Sequence, residues 1–172
     1  MARSSTARVS DDAFFAEVEP APAPTGPEIV FLDKRVVEWG GFVQATPGSA
    51  AYDLFAAIDQ PMHIGPGAQA IIGTGIKLWI KDPSLVALVF PRSGLGTKGI
   101  VLGNLTGVID SDYQGQWMLT IWNRSNQTKT INPGDRVAQV VFTNVSHIVP
   151  AEVEELSSVT TRGEGGLGST GQ

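Results

Sequence analysis

From Gly103 to Trp117 the chain runs Gly-Asn-Leu-Thr-Gly-Val-Ile-Asp-Ser-Asp-Tyr-Gln-Gly-Gln-Trp, packing two acids, an aromatic and an amide between glycines. That composition suits a tight β-hairpin pocket better than the interior of a strand or helix. Asp110 and Asp112 stand two apart, so on an extended strand both face one way and Tyr113 the other. A turn among them would change that, and the residue types predict one. The stretch reads as an active-site hairpin; an ordinary acidic hairpin reads the same residues equally well.

Three further clusters each offer polar groups beside glycines. Pro91-Arg92-Ser93-Gly94-Leu95-Gly96 places a guanidinium, a hydroxyl and glycine amides at the start of a short predicted helix, which suits phosphate oxygens. A plain strand-end turn explains it as well. In Gly134-Asp135-Arg136-Val137-Ala138-Gln139 the Asp–Arg pair reads as structural, and Gln139 is the candidate ligand contact. Arg162-Gly163-Glu164-Gly165-Gly166, with Ser169 and Thr170, is able to wrap a phosphate, although a disordered Gly-rich terminus accounts for it locally.

Other motifs lead nowhere. Gly163 to Gly168 matches G-x-G-x-x-G in letters, but only four residues follow it, too few for the helix a dinucleotide fingerprint requires. His63 and His147 are isolated, with no second ligand at metal spacing. No serine sits in a nucleophile elbow, and the absence of cysteine excludes a disulfide scaffold and thiolate-bound zinc.

Short apolar runs must position these clusters. Ile29–Leu32, Gly75–Lys81, Leu85–Phe90, Met118–Trp122, Val137–Phe142 and Val145–Val149 read as strands, with turns at Pro66-Gly67, Asp82-Pro83 and Pro133-Gly134. Ile64-Gly65-Pro66-Gly67-Ala68-Gln69-Ala70 echoes Ile131-Asn132-Pro133-Gly134-Asp135-Arg136-Val137, as two similarly built β-units would. One short helix is expected around Ser93–Lys98, with Ser93 as its N-cap. The fold class is therefore all-β: a distorted jelly-roll or β-barrel subunit with one short helix and a flexible C-terminal arm.

The chain of 172 residues is long enough for one domain with a real core, and 20 Gly with 11 Pro favour a β-rich fold cut by turns. Residues 1–27 are expected to form a flexible Pro/Ala-rich arm, 28–150 the β-domain and 151–172 the C-terminal arm. The acids outnumber the bases by 4 to 2 in the first segment and 4 to 1 in the last, and the two are equal at 9 each between them. Without a stripe of Lys and Arg, a nucleic-acid partner is not expected, whereas a small phosphorylated ligand needs only a few local cations. No apolar run approaches the roughly 20 residues of a membrane span, and the N-terminus is charged where a signal peptide is apolar. A soluble, cytoplasmic protein is the expectation.

Taken in order, the clusters resemble the trimeric dUTPase family across nearly the whole chain from Glu28 onward. That family carries five ordered motifs, and here Gly48 to Leu54 resembles the first, Pro91 to Gly96 the second, Gly103 to Gly115 the third, Gly134 to Gln139 the fourth and Arg162 to Gly171 the fifth. The resemblance implies a jelly-roll-like subunit, a homotrimer with shared active sites, and Mg²⁺-dependent hydrolysis of dUTP to dUMP and pyrophosphate by water attacking the α-phosphorus. This limits uracil in DNA and supplies dUMP for dTMP synthesis. It also implies roles: Asp110 activates the water and meets the 3′-hydroxyl, and Gln139 contacts the α-phosphate and the water. Tyr113 stacks on the sugar and leaves no room for a 2′-hydroxyl. Asn104, Gly107 and the neighbouring backbone meet the uracil edge. Arg92, Ser93 and Gly94 contact phosphates, Arg162, Ser169 and Thr170 clamp the triphosphate, and Asp53 touches Mg²⁺ through water while the phosphates hold the ion.

Two positions depart from the family pattern. Ala51 stands where the family usually has Gly, and Leu167 where it usually has the aromatic that covers the uracil. Two other classes share some of these features. A dCTP deaminase has a similar Pro-Arg-Ser stretch, but its glutamate-bearing signature is missing here; a nonenzymatic regulatory binding protein would rely on residues 1–27.

Overall fold

The computed structural model of the chain describes residues 25–164. In chain order its elements are β1 (Glu28–Phe31), α1 (Arg35–Glu38), β2 (Tyr52–Phe55), β3 (Met62–Ile64), β4 (Gln69–Trp79), β5 (Leu85–Pro91), α2 (Ser93–Gly96), β6 (Ile100–Leu102), β7 (Gly107–Ile109), β8 (Gln116–Asn123), β9 (Lys129–Ile131) and β10 (Arg136–Asn144). All strand pairings are antiparallel. One sheet has the order β1-β4-β8-β6, a second β2-β10-β5-β7, and β3 pairs with β9 in a small third sheet. The all-β jelly-roll expectation holds, with two four-residue helices rather than one.

Period-two patterning forms the core. In β4, Ile72, Ile76 and Leu78 are buried while Lys77 faces solvent, and in β8 the buried Trp117, Leu119 and Ile121 alternate with more accessible neighbours. Leu54, Val89 and Val140 of the second sheet complete the same cluster. The sequence echo is real in space: the two echoing segments open on β3 and β9, which pair through Met62↔Ile131 and Ile64↔Lys129. Each then turns at a glycine of positive φ, Gly67 at 72° and Gly134 at 81°, and feeds a long strand, one in each sheet.

Three expectations need correction. Val145–Val149 is not a strand: the Val145 N–H still donates to the Ser84 carbonyl at 2.9 Å, but Ile148 and Val149 are 83% and 96% exposed. Apolar β-branched residues make a strand only where they lie along another strand's edge, and this segment is paired with none of the described strands. The N-cap of α2 is Arg92, with extended φ/ψ and no side-chain cap, so Ser93 is the first helical residue. Gly103–Trp117 is not a tight hairpin either. β7 pairs with β5 in the second sheet, whereas β8 pairs with β4 and β6 in the first. The segment crosses between sheets because β6, not β7, pairs with the side of β8 that β4 leaves open.

Candidate functional site

The sequence-predicted residues fall into two groups at different places on the chain. The first group is built across three neighbouring strands. Gln139 of β10 stands opposite Asp53 of β2 on one side and Phe90 of β5 on the other, so side chains of one row share a face. Around them lies a pocket of about 460 Å³ lined by Ser49, Ala51, Asp53, Arg92 and Gln139. Gln139 Nε2 donates to the Pro91 carbonyl at 3.0 Å. Arg92 reaches back from the end of β5, its Nε 2.7 Å from Asp53 Oδ1, and Arg136 Nη1 lies 3.2 Å from Asp53 Oδ2. Both carboxylate oxygens of Asp53 thus face a guanidinium, each able to take a further hydrogen bond on a remaining lone pair.

Asp135 and Arg136 each make structural contacts, but with other residues and not with one another. Arg136 turns to Asp53, while Asp135 Oδ2 accepts the Asn132 N–H at 2.8 Å and closes the turn before β10. Trp39 was not anticipated from motif spacing. A Cβ on Gly134 would come within 3.0–3.1 Å of its ring, so Trp39 caps the turn that delivers Arg136. Ala51 is free of backbone strain: the non-glycine residues with positive φ among those described are Lys81 and Leu105. The departure from glycine there needs no left-handed backbone.

The second group lies where the two sheets part. β6 ends at Leu102, opposite Ile121, so the first half of β8 has no strand on that side, and β7 is the last strand of its own sheet. Two open edges therefore flank a pocket of about 100 Å³ lined by Asn104, Gly107, Val108, Met118 and Thr120 among others. Gly107 allows the close approach of β7 to β5: a Cβ there would lie 3.2 Å from Val89 Cβ. Asn104 is exposed at the rim.

Asp110 follows β7 directly and lines two adjoining hollows, one of about 220 Å³ with Tyr113 and Trp117, the other of about 670 Å³ with Trp79, Lys81, Asp112 and His147. The expected turn is present, the Tyr113 N–H donating to the Asp110 carbonyl at 3.2 Å. From outside, the Lys81 N–H donates to the Ser111 carbonyl at 3.1 Å. Among the described residues neither the Asp110 nor the Asp112 carboxylate has a hydrogen-bond or ion-pair partner.

The strand register measures how far apart the two groups are. Ile109 is opposite Ala87 of β5, and Arg92 lies five residues further along the chain; at about 3.4 Å per residue that is roughly 17 Å. The chain does not bring its own Asp110 to its own Arg92 and Gln139. Ser93 and Gly94 are exposed beside Arg92 on α2, and Arg162 is exposed near the end of the described residues. Leu167, Ser169 and Thr170 lie outside them.

Among the described residues no three metal-ligating side chains converge on one point. The only acid in the first group is Asp53, which suits Mg²⁺ held by phosphates with a carboxylate accepting from its water shell, and does not suit an all-protein cage.

A dUTPase family model matches residues 38–171. The chain is 51% identical over 147 residues to the deoxyuridine 5′-triphosphate nucleotidohydrolase of Idiomarina loihiensis, covering 84% of this chain and 97% of that one. It is 54% identical to the protein of the same name from Citrobacter koseri, covering 84% and 96%. Its fold is similar to that of the Staphylococcus bacteriophage 80alpha dUTPase solved with dUpNHpp, with a TM-score of 0.71 at 25% identity over 87% of this chain and 100% of that one. It also resembles a mutant dUTPase of phage phi11 of S. aureus, described with a structural Mg(II) ion, with a TM-score of 0.67 at 24% identity over 77% and 99%.

Proposed function

Because the chain belongs to the dUTPase family, we propose that it hydrolyses dUTP to dUMP and pyrophosphate in a homotrimer whose active sites are each shared between subunits. The observation that carries this reading is the separation of two half-sites, one cationic and one carrying a carboxylate without a partner among the described residues, too far from each other to act within one chain. A C3 assembly supplies what a single chain lacks. Arg92, Ser93, Gly94 and Gln139 from one subunit would meet the phosphates, Asn104, Gly107, Asp110 and Tyr113 from the next the nucleoside, and Arg162, Ser169 and Thr170 from the third the triphosphate tail. Residues 28–150 serve as the catalytic domain and 151–172 as the arm carrying that tail contact.

The chemistry follows from the groups named. The Asp110 carboxylate has no competing hydrogen-bond or ion-pair partner among the described residues, so it is positioned to accept the proton of a water attacking the α-phosphorus, while Gln139 Nε2 orients that water or the phosphate oxygen. Arg92 and Arg162 offset the charge that gathers on the departing pyrophosphate. Mg²⁺, when bound through the phosphates with Asp53 on its water shell, would supply further neutralisation. The open edges of β7 and β8 offer main-chain donors and acceptors to a pyrimidine edge. Cytosine, whose exocyclic amine reverses one donor and acceptor, is disfavoured in such a slot. No described helix is long and apolar enough to cross a membrane, and a cytoplasmic location fits this activity.

Pyrophosphate release from dUTP, dCTP, dTTP and UTP with Mg²⁺ tests the reading. Strong preference for dUTP supports it; comparable turnover of dCTP sinks the pocket assignment, and ammonia release from dCTP would indicate a deaminase.

A further inference from the structure

Tyr113 is 44% exposed, yet its hydroxyl is tied back to the turn. Its N–H is tied to the Asp110 carbonyl at 3.2 Å, and its hydroxyl donates across the turn to the Gln116 carbonyl at 3.1 Å. Between these two anchors the ring lies against Gly115. A Cβ at position 115 would stand 2.3 Å from Tyr113 Oη, 2.5 Å from Cζ and 3.0 Å from Cε2, so any side chain there obliges the hydroxyl end of the ring to shift. Gly115 does not have the positive φ that marks Gly67 or Gly134, so its backbone accepts any residue. What the glycine supplies is space for a ring.

This matters because of what a steric filter requires. A wall excludes one extra hydroxyl only if yielding by about 1 Å is costly, and an exposed aromatic held by nothing swings between rotamers freely. The hydroxyl tie and the glycine seat hold this ring in one pose before any ligand arrives, with its remaining surface facing the hollow shared with Val108, Asp110 and Met118. We infer that Gly115 is a specificity-determining positioning residue: by leaving room over the turn for the hydroxyl end of the Tyr113 ring and letting that hydroxyl reach the Gln116 carbonyl, it sets how strictly a ribonucleotide is rejected. This inference rests on the proposed hydrolase reading and on the place that reading gives Tyr113 at the sugar.

The test compares kcat/KM for dUTP and for UTP in the wild type, Gly115→Ala and Tyr113→Phe, with melting curves to confirm folding. Gly115→Ala lifts the ring and breaks the hydroxyl tie, so the UTP-to-dUTP ratio is expected to rise roughly tenfold, and Tyr113→Phe, which loses only the tie, to raise it about twofold to threefold. A residue with a merely structural role slows both substrates by one factor and leaves the ratio alone. An unchanged ratio in both variants overturns the inference, and if Gly115→Ala does not fold, the ratio in Tyr113→Phe decides. A wild type that releases no pyrophosphate from dUTP overturns the hydrolase reading and this inference with it; an active wild type with unchanged ratios overturns this inference alone.

Discussion

Asp53 and Asp110 sit on or beside strands of the same sheet, and their surroundings are opposite. Asp53 is held between Arg92 and Arg136 with only 19% of its side chain exposed, whereas Asp110 is exposed and has no polar partner among the described residues. A carboxylate balanced within its own chain is a fixed part of a scaffold. One left unbalanced at a strand end is available to a water or a sugar hydroxyl, and its surroundings are completed from elsewhere. The surroundings of Asp53 are therefore organised by folding, whereas those of Asp110 leave its carboxylate open, and under the proposed trimer a neighbouring subunit and the ligand would complete them.

The sharpest way to break that contrast is at Asp110. Asp110→Asn keeps the shape and removes the base, so turnover of dUTP is expected to fall by roughly 10²–10⁴-fold with the melting midpoint nearly unchanged, because no native partner is lost. A clear drop in stability would show that Asp110 has a structural partner after all. Assembly can then be read from mixtures: Asp110→Asn and Arg162→Ala homotrimers should each be impaired, while an equimolar refolded mixture regains activity at about one site in four by random assortment, which is about one site in each mixed trimer. Mixed trimers, confirmed by mass, that show only the average of their parents would mean that the third and fifth motifs of a site come from one chain.

At Asp53 the expected pattern inverts. Asp53→Ala leaves Arg92 and Arg136 without their shared acid, costing about 1–3 kcal/mol of stability and moving Arg92 from its place, so activity and melting midpoint should fall together. Loss of activity at full stability would mean that Asp53 acts through the proposed Mg²⁺ water shell alone and does not also hold Arg92 in place. Leu167→Phe tests the proposed contact of the C-terminal tail with the nucleotide. An aromatic over a base is worth roughly 1–3 kcal/mol, part of which leucine already supplies, so kcat/KM for dUTP should rise about threefold to tenfold. An unchanged or lower value would mean the pocket has adapted to leucine.

The smallest effect serves as a control away from both half-sites. The Arg35 guanidinium beside Asp33, and the Ser84 hydroxyl and N–H beside Asp82, hold these carboxyls below their ordinary value of 3.8. The unfolded chain then binds more protons in acid, so the stability these contacts supply is present above that value and is lost as pH falls through the folded pKa values. Asp33→Asn should shallow the fall of the melting midpoint below pH 4 without altering activity near neutrality. An unaltered acid profile would remove Asp33 from the account.

Local rules made much of this protein legible in its sequence. Alternation in Gly75–Lys81 and Met118–Trp122 located β4 and β8, proline–glycine pairs located the turns, and glycine-bounded clusters named Asp110, Arg92 and Gln139, because those signals depend on neighbours in the chain. The echo of Ile64–Ala70 in Ile131–Val137 was visible as letters, but its meaning, two strands paired with each other, needed the fold. Arg136 reads beside Asp135 yet pairs with Asp53, 83 positions away; charge tells which partners are allowed, and only packing decides which is reached. Gly103–Trp117 carried every sign of a hairpin, and became a crossing between sheets because β8 pairs with β4 and β6 while β7 joins β5. Nor does sequence spacing reveal that Asp110 and Gln139 lie in separate half-sites. That depends on strand register, which is set by which apolar faces must be buried together and is therefore a property of the whole sandwich.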